Sequence, residues 1–239
     1  MTLSIIIPAH NEEEQIAATV IGVLTQVQTP DREVIVVADH CSDLTETIVT
    51  EIARNHPELR LIKNTDRPGS FSNAIITGLH AATGTLVVPV MADHCDDPSA
   101  IDRMVKAMEE RGADVVCASR YMRGGKKVGG PWLQNIFSRI VCYSLRIFTG
   151  IPTWDCANSY KMYRSSVLRS LRYDIPNAGT EYSMALLFRA YFHGAKIIEI
   201  PTTWTGTSIP INQELKILRR FPNYWYWYRK ALRWLRREE

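Results

Sequence analysis

Short apolar runs alternate with amphipathic stretches along the first half of the chain. Residues 3–7 (LSIII) are Ile-rich and too few for a helix, so they predict a buried strand. Asn11 followed by Glu14 has capping-box spacing and predicts a helix to about residue 25, with Ile16, Val20, Val23 and Leu24 facing inward. The same reading gives strands at residues 33–38, 59–63, 85–91 and 114–119. Helices between them cover residues 43–55, opened by Asp43, and 70–82, with a further helix opened by Asp97-Pro98. Strands separated by helices predict an α/β fold with a mainly parallel sheet covered on both faces. In such sheets ligands bind beyond the carboxyl ends of the strands.

The second half is less periodic. Residues 123–131 (RGGKKVGGP) read as a flexible, positive loop, followed by an amphipathic helix at 132–149, a helix at 181–192 and a strand at 196–200. The chain ends in a helical stretch, FPNYWYWYRKALRWLRR, that interleaves Trp225, Tyr226, Trp227, Tyr228 and Trp234 with Arg229, Lys230, Arg233, Arg236 and Arg237. With no linker in between, the expected organisation is one catalytic domain over residues 1–210 and a C-terminal amphipathic aromatic and basic helix within 211–239.

Composition narrows the function classes. The 239 residues are 46% hydrophobic and 22% charged, which excludes wholesale disorder and permits a core without disulfides or structural metal. Net charge is +3, too mild for a whole-surface nucleic-acid binder. The basic, aromatic tail instead suits contact with an anionic membrane surface, its alternative being a helix that packs its rings on the domain. Five cysteines without a C-x-x-C pair point to reduced thiols and a cytoplasmic location. The start lacks the pattern of a signal peptide. The best candidate for a membrane span, residues 133–151, is broken by Arg139 and Arg146.

Candidate chemistry lies just after the strands. Ala38-Asp39-His40-Cys41 and Ala92-Asp93-His94-Cys95 repeat the same four residues, and each is followed by further acids. Carboxylates at the ends of buried strands are costly unless something positive is bound there. Asp93, Asp96 and Asp97 together suit a hard divalent ion such as Mg2+ or Mn2+, which accepts one or two carboxylates and completes its shell with phosphate oxygens and water. Asp97 alone also reads as a helix cap. The two His-Cys pairs offer a rival zinc site, but without metal-ligand spacing. The turn after the first strand, Pro8-Ala9-His10-Asn11-Glu12, is not the glycine-rich fingerprint of dinucleotide binding.

The ordered series IIIPAHNEEEQI, VVADHCSD, VPVMADHCDDP and ASRYMRGGKKVGGPWLQNIFSRI resembles family-two inverting glycosyltransferases of the GT-A fold, in the polyprenyl-phosphate mannose or glucose synthase branch. The resemblance spans residues 3–204. It implies that Pro8, Ala9, Glu12, Asp39 and Ala92 line the nucleotide pocket of a GDP- or UDP-sugar. By the same resemblance Asp93 to Asp97 form the metal segment, Arg120 and Arg139 meet the donor diphosphate and the acceptor phosphate, and Glu181 is an acid near the acceptor. The chain departs from the branch where Ala92 and His94 stand for two usual acids, which shifts the metal role to Asp93 and Asp96. It departs again where Thr205-Gly206-Thr207-Ser208 replaces a basic residue after Trp204. The implied reaction is metal-assisted glycosyl transfer to a polyprenyl phosphate at the inner membrane face. A hydroxyl acceptor would need a general base, with Asp155 or Glu181 as candidates. A soluble glycosyltransferase acting on a small acceptor and a non-catalytic sugar-nucleotide binding subunit are the alternatives, and no nucleic-acid partner is expected.

Overall fold

A computed structural model of the chain describes residues 1–130, 132–171, 179, 181–206 and 221–235. The sheet is built around β1 (Leu3–Ala9), which is buried along its whole length. β2 (Arg32–Ala38) pairs parallel to it on one side, with β3 (Leu59–Lys63) parallel beyond. On the other side β4 (Leu86–Pro89) is also parallel to β1. β5 (Val115–Ser119) joins through β7 (Lys161–Arg164), which runs antiparallel to both β4 and β5, and β8 (Ile197–Pro201) closes the edge parallel to β5. The order is therefore β3-β2-β1-β4-β7-β5-β8.

Alternation along the strands divides the core in two. Ile5 and Ile7 face one layer with Val20 of α1 (Ile16–Gln26) and Met104 of α4 (Ala100–Arg111). Ile6 faces the other, with Ile75 of α3 (Phe71–Ala81) and Phe188 of α7 (Tyr182–Phe192). Each such buried side chain contributes about 2 kcal/mol. α2 (Thr45–Ala53) covers the β2–β3 edge, and α6 (Ser165–Ser170) follows β7 directly. Helix starts follow local chemistry in α3, where the Ser70 hydroxyl accepts from Asn73 N at 3.2 Å. They do not in α1: Asn11 adopts φ 56° and accepts from Ser42 N at 2.8 Å, so the helix begins at Ile16 rather than at a capping box.

Two further features escaped the periodicity. Residues 126–129 form β6 (Lys126–Gly129), which pairs parallel with β9 (Thr203–Gly206) in a separate two-stranded sheet. β7 carries Lys161 fully buried within it, which disguised the strand as a polar segment. α5 (Trp132–Thr149) has its expected extent. α8 (Phe221–Leu235) lies against α5 and α7, burying Trp227 and Ala231. The expected boundary at residue 210, Thr207-Ser208, Arg236, Arg237 and the Trp234 side chain lie outside the described residues.

Glu33 ties the first three strands together. Its carboxylate accepts from Ser4 Oγ at 2.6 Å, from Thr83 N at 2.7 Å and from Arg60 at 2.6 Å. Burial pushes this carboxyl up, but those hydrogen bonds together outweigh it and hold it at about 2. A depressed carboxyl stabilises the fold above its unfolded value of 4.5, and that stability is lost as pH falls through about 2. Glu33→Gln is expected to lower stability at pH 7 by about 1–2 kcal/mol. Urea unfolding should show the gap from wild type closing as pH falls toward 2, and a gap that is constant with pH would contradict this.

Candidate active site at the strand ends

Asn11, His40 and His94 are left-handed, with φ of 56°, 52° and 56°, and they follow β1, β2 and β4 at their carboxyl ends. For residues with a Cβ this conformation costs about 1–2 kcal/mol each, and such strain clusters at functional sites. These turns aim the segments after three neighbouring strands at one region. After β2, Asp39 is buried; its Oδ1 accepts from Asn64 Nδ2 at 2.6 Å and its carbonyl accepts from His10 Nδ1 at 2.6 Å. Pro8 and Ala9 are buried at the end of β1. Ala92 is also buried, its carbonyl accepting from Thr19 Oγ1 at 2.8 Å. Glu12, whose backbone N donates to Thr45 Oγ1 at 2.8 Å, has a half-buried carboxyl. Burial, and then the charges of Asp93 and Asp43, push that carboxyl above the usual range.

The acidic segment after β4 divides its work. Asp93 is exposed, with Oδ1 accepting from Cys95 N at 3.1 Å. Asp96 is buried, with Oδ2 accepting from Met91 N at 3.3 Å. Burial, reinforced by the charge of Asp93, pushes Asp96 up to about 7. Asp97 is committed elsewhere. Its Oδ1 accepts from Ser99 N at 3.0 Å and from Ser99 Oγ at 2.6 Å, and its Oδ2 pairs with Arg103 at 3.0 Å. β9 runs beside the segment, with Asp96 bridged to Trp204 and Thr205 N donating to Cys95 O at 2.9 Å. A cleft of about 760 Å³ opens between the acids and Thr203–Gly206.

Two carboxylates crowding each other at a cleft fit a hard divalent cation. Asp93 and Asp96 are the acids left for it, within the one or two that Mg2+ takes when phosphate supplies the rest. No three His, Cys, Asp or Glu side chains gather as a metal cluster among the described residues. The His-Cys pairs likewise do not assemble a zinc site. Arg67 O accepts from His40 Nε2 at 3.1 Å, and the Cys41 and Cys95 thiols turn back onto Ala9 O and Asp93 O.

The basic side is arranged differently from expectation. Arg120 is buried and forks onto Asp155, Nε to Oδ2 at 2.7 Å and Nη2 to Oδ1 at 2.8 Å, while its backbone N donates to Oδ2 at 2.9 Å. Burial pushes the Asp155 carboxyl up, but the Arg120 charge outweighs it and holds the group below its usual range. Arg120 is therefore neutralised within the chain, and Asp155 is not free to act as a base. Arg139 is exposed on α5, and it shares the Tyr121 ring with Arg120, at 5.0 and 5.1 Å from the centroid. Glu181 is buried at the start of α7, where its Oε1 accepts from Gly179 N at 2.8 Å.

The model of glycosyl transferase family 2 matches residues 4–172. The chain belongs to glycosyl transferase family 2. The undecaprenyl-phosphate mannosyltransferase of Micrococcus luteus is 29% identical over 213 residues, covering 87% of this chain and 86% of that protein. Among solved structures, glucosyl-3-phosphoglycerate synthase of Mycobacterium tuberculosis, in complex with Mn2+ and UDP, superposes with TM-score 0.72 at 19% identity, covering 95% of this chain and 79% of that one. A mannosyltransferase of Pyrobaculum calidifontis, in complex with GDP-Man and Mn2+, superposes with TM-score 0.70 at 20% identity, covering 97% of this chain and 64% of that one. The fold is GT-A, and the family-two chain is a glycosyltransferase.

In this family-two chain Glu12, Asp93 and Asp96 share one electrostatic neighbourhood, and Arg120 joins Arg139 through Tyr121. Asn64 and Tyr121 escaped the sequence reading as site residues because each sits outside the repeated acidic turns, and Lys127 entered it only as part of the positive loop at residues 123–131. Asp155→Ala leaves a buried guanidinium unpaired and is expected to cost about 3–5 kcal/mol. Chemical denaturation at pH 7 checks this, and a loss below about 1 kcal/mol would show that the pair is not what holds this wall of the site.

Proposed function

We propose that the chain transfers a sugar from a nucleoside-diphosphate sugar, GDP- or UDP-linked, to a polyprenyl phosphate, with inversion at the anomeric carbon. The observation that carries this reading is the pair Asp93 and Asp96, crowded at the end of β4 on the wall of an open cleft. Asp93 and Asp96 would hold Mg2+ or Mn2+, which when bound supplies stabilisation of the negative charge on the departing nucleoside diphosphate. Pro8 and Ala9 at the end of β1, Ala92 after β4, and Asp39, held by Asn64, would meet the nucleotide. The acceptor phosphate is already an anionic nucleophile and needs no base. That agrees with Asp155 being tied to Arg120 and with Glu181 accepting from a backbone N–H. Arg139 is the exposed cation suited to the acceptor headgroup. The name of the Micrococcus relative supports a lipid-phosphate acceptor.

A lipid acceptor requires a surface that meets lipid. Ile136, Ile140, Ile147 and Phe148 of α5 are 52%, 61%, 72% and 62% exposed. Trp225 and Tyr226 are exposed on α8, which lies against α5, with Arg229 and Arg233 beside them. An apolar stripe edged by arginines suits the face of an anionic bilayer. Among the described residues no helix is long and apolar enough to cross one. With the α5 and α8 stripe against the bilayer the protein would sit peripherally, and we place it at the cytoplasmic face.

Incubation with radiolabelled GDP-mannose or UDP-glucose and undecaprenyl phosphate should move label into the butanol-extractable fraction. Asp93→Ala and Asp96→Ala should lower that transfer by about 10²-fold. Transfer to a soluble acceptor and to no lipid would overturn the acceptor. Ile140→Ser with Ile147→Ser should weaken sedimentation with anionic vesicles by about tenfold, and unchanged sedimentation would argue against this face.

A further inference from the structure

Lys127 lies opposite Trp204 in the β6–β9 pair, with Nζ 4.7 Å from the indole centroid. The indole fits only because two neighbours lack side chains. A Cβ on Gly130 (φ +74°) would come within 2.8 Å of the ring, and one on Gly206 would overlap it. Trp204 in turn walls the cleft that holds Asp93 and Asp96. Lys127 is thus half-buried, its ammonium seated over an indole that itself lines the cleft, rather than loose in a flexible loop as its glycine-rich surroundings suggest.

Arg120 is paired with Asp155, and Arg103 with Asp97. Among the described residues Lys127 has no carboxylate within ion-pair distance. Burial, and then the charge of Arg120, push it down to about 8. A half-buried ammonium with no carboxylate at ion-pair distance is an arrangement that an incoming anion relieves.

We propose that Lys127, fixed over Trp204, binds a phosphoryl group of a substrate at the cleft edge. This rests on the transfer reaction proposed above and adds a basic residue to it. The same chemistry is offered by the donor diphosphate and by the headgroup of the polyprenyl phosphate. Lysine is suited to either as a point charge with rotatable donors.

The test compares the full-length wild type with Lys127→Met and Lys127→Arg. Met keeps an apolar stem on the indole and removes only the charge, while Arg restores it. Titration calorimetry with Mn2+ measures GDP, UDP and the corresponding nucleosides, and the transfer assay gives KM for undecaprenyl phosphate. A donor contact predicts that Lys127→Met weakens diphosphate binding by about tenfold with nucleoside binding unchanged. An acceptor contact predicts a comparable rise in KM for the lipid with diphosphate binding unchanged. In either case Lys127→Arg should recover most of the loss. The inference is overturned if Lys127→Met matches wild type in both measurements. It is equally overturned if Lys127→Arg loses as much as Lys127→Met and both shift the tryptophan emission, which is the signature of packing alone. A wild type that binds neither diphosphate overturns the transfer reaction itself, and the role of Lys127 with it.

Discussion

Asp96 is a carboxylate kept from water at the end of a central strand, with a second carboxylate, Asp93, close enough to raise its proton affinity. Left alone, that pairing opposes folding, because burial and like charge both work against the ionised form. The surrounding architecture maintains it nevertheless. His94 accepts a left-handed backbone between the two acids, and Trp204 bridges to Asp96 from a separate sheet. Ser99 and Arg103 take Asp97 out of the cluster. In the reading proposed above, this pair would hold a cation, and the cleft beside it would receive the phosphate that the cation accompanies.

The opposing wall is complete in itself. Arg120 and Asp155 satisfy each other with three hydrogen bonds, one from the backbone. A buried pair of this kind stabilises little against a well-packed apolar substitute, but it fixes geometry. Here it holds the Arg120 guanidinium against the Tyr121 ring, which Arg139 shares from α5. In the proposed reading, Arg139 of α5 and Lys127 of β6 are the cations that would meet substrate phosphates, while Arg120 stays tied to Asp155.

Much of this was written in the sequence. Apolar runs such as residues 33–38 could only be buried strands, and the repeated Ala-Asp-His-Cys turns marked the strand ends where the acids lie. The limits are equally physical. A capping-box pattern at Asn11 lost to a tertiary hydrogen bond from Ser42, because a contact made only on folding outweighed a local one. The glycines of residues 123–131 read as flexibility, whereas Gly130 makes room for the indole of Trp204, 74 positions away, which no local window can see. Lys161 hid β7 because a buried lysine contradicts the alternation that reveals strands. Arg120 carried the right motif, but its partner, Asp155, lies far along the chain.

On the proposed reading, Asp93 and Asp96 grip a divalent cation together with a nucleoside diphosphate. Thermal unfolding of wild type and Asp96→Asn, each in chelator and in Mn2+ with a nucleoside diphosphate, tests it most directly. Asparagine keeps an oxygen for the Met91 N–H and removes the charge, so the variant should be the more stable protein in chelator. With metal and nucleotide the order should reverse, because binding to the native state stabilises only the chain that can grip the ion. The same order under both conditions would contradict the account.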